Sequence, residues 1–225
     1  MPHLTWPVLE GEVTPVYCYT DYPEAELFVN GKSQGRIKKV KEERGKWDSK
    51  DRLDRYRLRW NDVRYEPGEL KVVVFDEMGN NCGQQVVKTA QKPARLQLDV
   101  WTQSSPDILN NQSSQNARSS RNMQSSLKAD GQDMAFITIS LLDRNGTLIP
   151  DAADQLRFEV EGAGTFRAVC NGDATSLEPF TQPTMKLFHG QLVVIVQAAK
   201  HKGTLTLKVT DNEHKLSSKV KIKVG

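Results

Sequence analysis

The sequence predicts an all-β protein made of two tandem immunoglobulin-like antiparallel β-sandwiches. Three observations carry this expectation. Polar and apolar residues alternate with period two through most of the chain, and turn residues interrupt the runs at short intervals. No segment sustains a 3.6-residue apolar period between helix caps. The length, 225 residues, suits two domains of about 100 residues, each large enough to bury a core without disulfide or metal support.

In the first half, strands are expected at about 12–20, 25–30, 55–61, 69–76 and 84–89. Along Arg55-Tyr56-Arg57-Leu58-Arg59-Trp60 the arginines share one face, and Tyr56, Leu58 and Trp60 share the other. A helix would scatter those apolar groups around its circumference, so this is a half-buried strand. Asn30-Gly31 follows Leu27-Phe28-Val29 and precedes another polar-apolar run. Such a pair takes the two positive φ angles of a type I′ turn, which predicts a hairpin. Glu66-Pro67-Gly68 marks a corner into Leu70-Lys71-Val72-Val73-Val74-Phe75.

Thr89 to Pro93 reads as the junction, giving domains at 1–92 and 93–225. A strand opens at Ala94-Arg95-Leu96-Gln97-Leu98, and further strands are expected from Ala135 to Leu142, Gln155 to Val160, Gln191 to Ala198, Thr204 to Val209 and Leu216 to Val224. Turns fall at Asn145-Gly146, Asn171-Gly172, His189-Gly190 and Asp211-Asn212, and Gly162-Ala163-Gly164 reads as a turn leaving a strand. In the last strand Lys219, Lys221 and Lys223 alternate with Val220, Ile222 and Val224, and the lysines discourage edge-to-edge pairing with another molecule. Residues 103–126 are different. Ser, Asn and Gln dominate them, so they cannot offset chain entropy and are expected to form a mobile insertion. Lengthening a loop fourfold to sixfold costs only about 1–1.6 kcal/mol, so the second domain can carry it.

Composition excludes several classes of function. Lys and Arg number 31 against 28 acids, a mixed surface that implies no nucleic-acid partner. No apolar run approaches the ~20 residues of a membrane span. Cys18, Cys82 and Cys170 are odd in number, widely spaced and without histidines at ligand spacing, so no zinc site, metal or other cofactor is expected. Cys18 lies in an apolar strand, where a thiol behaves as a small core residue. Catalytic carboxylates would have to flank a scissile bond. The acids here, Glu24 and Glu26, Glu42 and Glu43, Asp48 and Asp51, Glu66 and Glu69, Asp76 and Glu77, lie beside turns or on outward strand positions. His3, His189, His201 and His214 lie at the terminus or at expected turns, and there is no G-x-S-x-G elbow. No catalytic residue is assigned.

Tryptophans are tested separately, because sugars stack their apolar faces on aromatic rings. Trp60 points with Leu58 into the core, and Trp6 precedes the first strand. Trp101 abuts the 103–126 insertion, and Trp47 stands alone among charges from Lys41 to Lys50. Trp47 and Trp101 are therefore the candidates for a carbohydrate or docking contact, with a folded-back hydrophobic anchor as the alternative for Trp47.

Beyond these periodicities, the run Gly11 to Thr20, Tyr22 to Gly35 with its Asn30-Gly31-Lys32-Ser33-Gln34-Gly35, Arg59-Trp60, Val63, Tyr65-Glu66-Pro67-Gly68-Glu69-Leu70-Lys71-Val72 and Thr89-Ala90 resembles the region after the catalytic barrel in bacterial β-galactosidases of glycoside hydrolase family two. Ala129 to Thr138, Pro150, Ala153-Asp154, Phe158, Gly162-Ala163-Gly164, Asn171-Gly172-Asp173 and Glu178-Pro179-Phe180 resemble the sandwich that follows it, which is also similar to invasin-type domains. The long charged loop at 41–54 and the 103–126 insertion depart from the family pattern.

The resemblance implies non-catalytic accessory domains whose partner is the catalytic domain of the same parent chain, with carbohydrate as a further partner. In that family the catalytic glutamates lie on a (β/α)₈ barrel, and no position here matches their motifs. It also implies a periplasmic or extracellular location, although Met1-Pro2-His3-Leu4 has no signal-peptide pattern. A carbohydrate-binding module and an adhesin-type interaction domain are the alternatives. Trypsin is expected to cut within 103–126, near Arg118 or Arg121, leaving two stable pieces visible on a gel. Full resistance there would show the segment to be packed.

Overall fold

The computed structural model describes residues 3–39, 56–102 and 126–225. The chain divides into two compact units, Met1–Ala90 and Gln91–Gly225. The described residues contain strands and one short 3₁₀ turn, Pro7–Leu9, with antiparallel sheets in both units. No helix among them is long and apolar enough to cross a membrane.

The first unit begins with β1 (Val16–Tyr19), β2 (Glu24–Val29) and β3 (Lys32–Lys38), followed by β4 (Arg57–Trp60), β5 (Glu69–Phe75) and β6 (Asn81–Lys88). A four-stranded sheet in the order β3-β2-β5-β6 accompanies the two-stranded ribbon β1-β4. Alternation decides what each presents. Ala25, Leu27 and Val29 of β2 meet Leu58 and Trp60 of β4 in a buried cluster, with Val16 and Cys18 packed against it. Burying each such aliphatic side chain contributes about 1.5–3 kcal/mol. The Trp60 indole N–H, which would be unsatisfied in that core, donates to the Gly35 carbonyl at 2.9 Å. Cys18 is half-buried, and burial pushes its thiol pKa up against the opposing charge of Lys39.

The expected Asn30-Gly31 hairpin is present between β2 and β3, with φ of 47° at Asn30 and 79° at Gly31. Asn30 also reaches across to the corner at 66–68. Its Oδ1 accepts the Glu69 N–H at 2.8 Å, and its Nδ2 donates to the Pro67 carbonyl at 3.2 Å. One side chain thus fixes both the hairpin turn and the corner into β5.

The second unit contains β7 (Arg95–Thr102), β8 (Ser126–Leu127), β9 (Met134–Leu142), β10 (Gln155–Gly162) and β11 (Gly164–Cys170). It continues with β12 (Thr184–Lys186), β13 (Gln191–Ala198), β14 (Gly203–Asp211) and β15 (Leu216–Val224). Its sheets have the orders β11-β13-β9-β7 and β12-β10-β14-β15-β8. They pack as a sandwich around Ile137, Ile139, Leu141, Val194 and Val196 from one side and Leu156, Leu205, Leu207 and Val209 from the other. His189-Gly190, with φ of 50° and 74°, makes the tight turn into β13.

Three differences from the sequence reading have local causes. Tyr56 is exposed because β4 starts at Arg57, after the turn that Tyr56 occupies. β11 was not anticipated as a strand, because a register shift between Phe166 and Ala168 breaks its alternation. The free edge of β15 is not guarded by lysines alone: β8 pairs in parallel with its last two strand residues, Lys223 and Val224.

Gly162 turns β10 into β11 at φ +84°, and a Cβ there would lie 2.1 Å from the Thr204 carbonyl oxygen. Gly162→Ala is therefore expected to destabilise the chain by at least about 1 kcal/mol, and Leu207→Ala by about 2–5 kcal/mol. Leu177→Ala, at a 97% exposed position, should change stability by less than about 0.5 kcal/mol. Urea melts of the three variants check this ranking.

Candidate functional site

The β1-β4 ribbon separates two chemistries by alternation. Val16 and Cys18 face inward opposite Trp60 and Leu58, whereas Tyr17 and Tyr19 face outward opposite Arg59 and Arg57. Both tyrosines are exposed, and the Arg57 guanidinium lies 4.8 Å from the centre of the Tyr17 ring. That is within the range of a cation–π contact. Aromatic faces flanked by arginines suit docking to a protein surface or stacking against a sugar ring. Alternation along Val16-Tyr17-Cys18-Tyr19 is the sequence signal that turns these two rings outward, where only tryptophans are expected as contacts.

Trp101 ends β7 with its side chain exposed, and Thr102 beside it is buried. Register places Trp101 opposite Phe136, Phe136 opposite Ile195, and Ile195 opposite Ala168. An apolar row thus crosses all four strands on the outer face of that sheet, with Trp101 and Phe136 its most exposed members. Phe136 was missed, yet it lies between the buried Ala135 and Ile137 and was bound to face outward. Trp47 lies outside the described residues, as do Glu42, Glu43, Asp48 and Asp51.

The remaining acids are tied into structure. Glu24 pairs with Arg36 at 2.8 Å and with Lys38 at 3.7 Å. Glu26 accepts the Ser33 hydroxyl at 2.6 Å, and Glu69 pairs with Lys88 at 3.2 Å. Asp76 accepts the Met78 and Asn80 backbone N–H groups and caps its own turn. The Arg36 hydrogen bond, with the charges of Arg36 and Lys38, holds the Glu24 carboxyl below its ordinary pKa against the effect of burial.

Two histidines have bland settings: His3 stacks on Trp6 with ring centres 4.4 Å apart, and His189 Nδ1 lies 3.2 Å from the Pro150 carbonyl. His214 differs. Its Nδ1 lies 2.9 Å from Asp154 Oδ1 and 3.2 Å from Asp211 Oδ2, and the Glu213 carboxylate is close by. No sequence spacing joins Asp154 to the Asp211-Asn212-Glu213-His214 turn. Strand pairing does, because Leu156 of β10 stands opposite Asp211 at the end of β14.

The fold and these surfaces define a tandem β-sandwich protein, and comparison with known proteins gives its family. Glycoside hydrolase family 2 C-terminal domain 5 matches residues 121–220, and a domain of unknown function, DUF4982, matches residues 11–83. The β-galactosidase BoGH2A of Bacteroides ovatus is 34% identical over 210 residues, covering 93% of this chain and 20% of that protein. A putative β-glucuronidase of Formosa agariphila is 24% identical over 208 residues, covering 88% of this chain and 16% of that protein. Among solved structures, a β-glycosidase from Bacteroides vulgatus superimposes with a TM-score of 0.72 at 28% identity, over 100% of this chain and 24% of that one. A family 2 member from Bacteroides cellulosilyticus gives 0.78 at 24% identity, over 99% of this chain and 24% of its own. The chain corresponds to the C-terminal region of a glycoside hydrolase family 2 enzyme. It spans about a fifth of the length of the curated relatives it matches.

Because the folded-state pKa of Glu24 is lowered, its ion pairs stabilise the chain above the unfolded carboxylate pKa, and that contribution fades as pH falls through the folded value. Glu24→Gln should therefore lower the melting temperature at neutral pH, and the gap from wild type should close below about pH 4. Thermal melts across pH measure it, and a gap that persists in acid would assign the effect to packing.

Proposed function

We propose that the chain is a non-catalytic accessory region of a β-galactosidase-like glycoside hydrolase, docking on the catalytic barrel of the same parent chain and supporting carbohydrate degradation in the periplasm or outside the cell. The observation that carries this reading is the 34% identity to BoGH2A, spread over 93% of this chain and confined to 20% of that enzyme. The described acids support it, since Glu24, Glu69 and Asp76 are committed to ion pairs or turns. Tyr17 and Tyr19 on the ribbon and Trp101 with Phe136 on the outer sheet supply the exposed aromatic surface that docking would bury. Each ring removed from water would contribute about 1.5–3 kcal/mol. Trp47, within the charged 41–54 sequence, belongs to the same docking proposal.

The exposed tyrosines also favour a second reading, in which the ribbon binds carbohydrate directly and the chain acts as a binding module. Affinity electrophoresis through gels cast with plant and host glycans separates the two. A docking region migrates unretarded in all of them, whereas a binding module is retarded in at least one and released by Tyr19→Ala.

The purified chain is expected to release no nitrophenol from nitrophenyl β-galactoside above the blank. Turnover abolished by replacing a single carboxylate of this chain would overturn the accessory role.

A further inference from the structure

We propose that Asp154, Asp211, Glu213 and His214 form a binding site for a first-row divalent cation, with Zn²⁺ the best match to its donors. The site is assembled from two places. Asp154 immediately precedes β10, while Asp211 ends β14 and Glu213 and His214 lie in the turn to β15. Antiparallel pairing of β10 with β14, Leu156 opposite Asp211, brings the two places together.

The turn is prepared from within. Asp211 Oδ1 accepts the backbone N–H groups of Glu213 at 2.8 Å and His214 at 3.4 Å, which orients its other oxygen toward the imidazole. Asp211 is fully buried and Asp154 is only 5% exposed, so both carboxylates have left water and require compensation. Among the described residues the only basic group paired with either is His214, through one nitrogen.

That one nitrogen faces both carboxylates. Nδ1 carries at most one hydrogen, and its hydrogen-bond contact is with Asp211 Oδ2 at 3.2 Å. Asp154 Oδ1 lies closer still, at 2.9 Å, so two carboxylates converge on one imidazole nitrogen. Among the described residues the Asp154 carboxylate has no partner outside this cluster. Two nearly buried carboxylates converging on one imidazole nitrogen form a donor set that a cation between them would draw together. Ligand atoms about 2.0–2.1 Å from a tetrahedral Zn²⁺ are about 3.3 Å from one another, close to the 2.9 and 3.2 Å found here. The exposed Glu213 carboxylate, within 4.8 Å of the Asp154 and His214 atoms, supplies the fourth donor by side-chain rotation. One imidazole and three carboxylates favour Zn²⁺ over Ca²⁺ or Mg²⁺, which prefer all-oxygen shells. The bound ion would tie the start of β10 to the β14–β15 turn.

The test uses the whole chain, stripped with a chelator and dialysed, then melted with and without ZnCl₂. Zn²⁺ at saturation should raise the melting temperature of the second unit by at least about 3 °C, and equal CaCl₂ should not. Titration calorimetry with Zn²⁺ should show one site whose dissociation constant weakens at least about tenfold in Asp154→Asn. His214→Gln should weaken it similarly, and at 32% side-chain exposure on a turn it folds even if the aspartate variant does not. No calorimetric site in wild type would overturn the proposal. So would Zn²⁺ binding of unchanged affinity in His214→Gln, which would place the ion elsewhere.

Discussion

In the second unit, Ile137, Ile139 and Leu141 from one sheet meet Leu156, Leu205 and Leu207 from the other, and none of the six has any exposure. This dry layer fixes the rest of the unit. A strand with one face in such a layer cannot slip by a single residue without carrying its whole apolar set into water, so register is strongly specified. Register in turn decides which side chains come together on the outside. Trp101, Phe136 and Ile195 share a row because Thr102, Ala135 and Val196 are held in the core beside them.

In the first unit a polar side chain does comparable work. Asn30 adopts the positive φ of the hairpin, while its carboxamide bonds the Glu69 N–H and the Pro67 carbonyl. Gly68 is required beside it, since a Cβ there would lie 1.9 Å from Asn30 Oδ1. The Asn30-Gly31 and Glu66-Pro67-Gly68 motifs, far apart in sequence, are therefore two halves of one latch. The turn, the corner and the contact between them constrain the same few residues.

What was legible in the sequence follows from which interactions are local. Alternation is local, so the spans of β13 and β15 matched their expected limits, and Trp60 and Leu58 were placed in the core correctly. β8 and β12 have two and three residues, too few to show a period. β11 hides its period behind the shift at Phe166. The outward aromatic rows were half legible: alternation gives the face of each ring, but only pairing register gives its neighbours. The Asp154–His214 cluster was not legible at all. Its members are joined by the β10–β14 pairing, and a survey of cysteine and histidine spacing cannot see a site built that way.

Among the described residues, buried carboxylates are compensated in three different ways, and the contrast gives the last of them its meaning. Glu24 has two cationic partners, Arg36 and Lys38, which lie across the same strand pair. Asp143 has no cation. Burial raises its pKa, yet the backbone N–H groups of Gln91, Thr147, Asn145 and Gly146 outweigh that and hold it low. Its bonds to Gln91, Asn145 and Thr147 are 3.0, 2.9 and 2.8 Å long, a full set for two oxygens. Asp211 follows the same pattern with one oxygen only, and its other oxygen faces His214. Asp154 shares that imidazole, with its Oδ1 2.9 Å from the same Nδ1. Glu24 has two cations to itself and Asp143 has three backbone donors, whereas Asp154 and Asp211 share one imidazole nitrogen, and this crowding of carboxylates is where the proposed cation would bind.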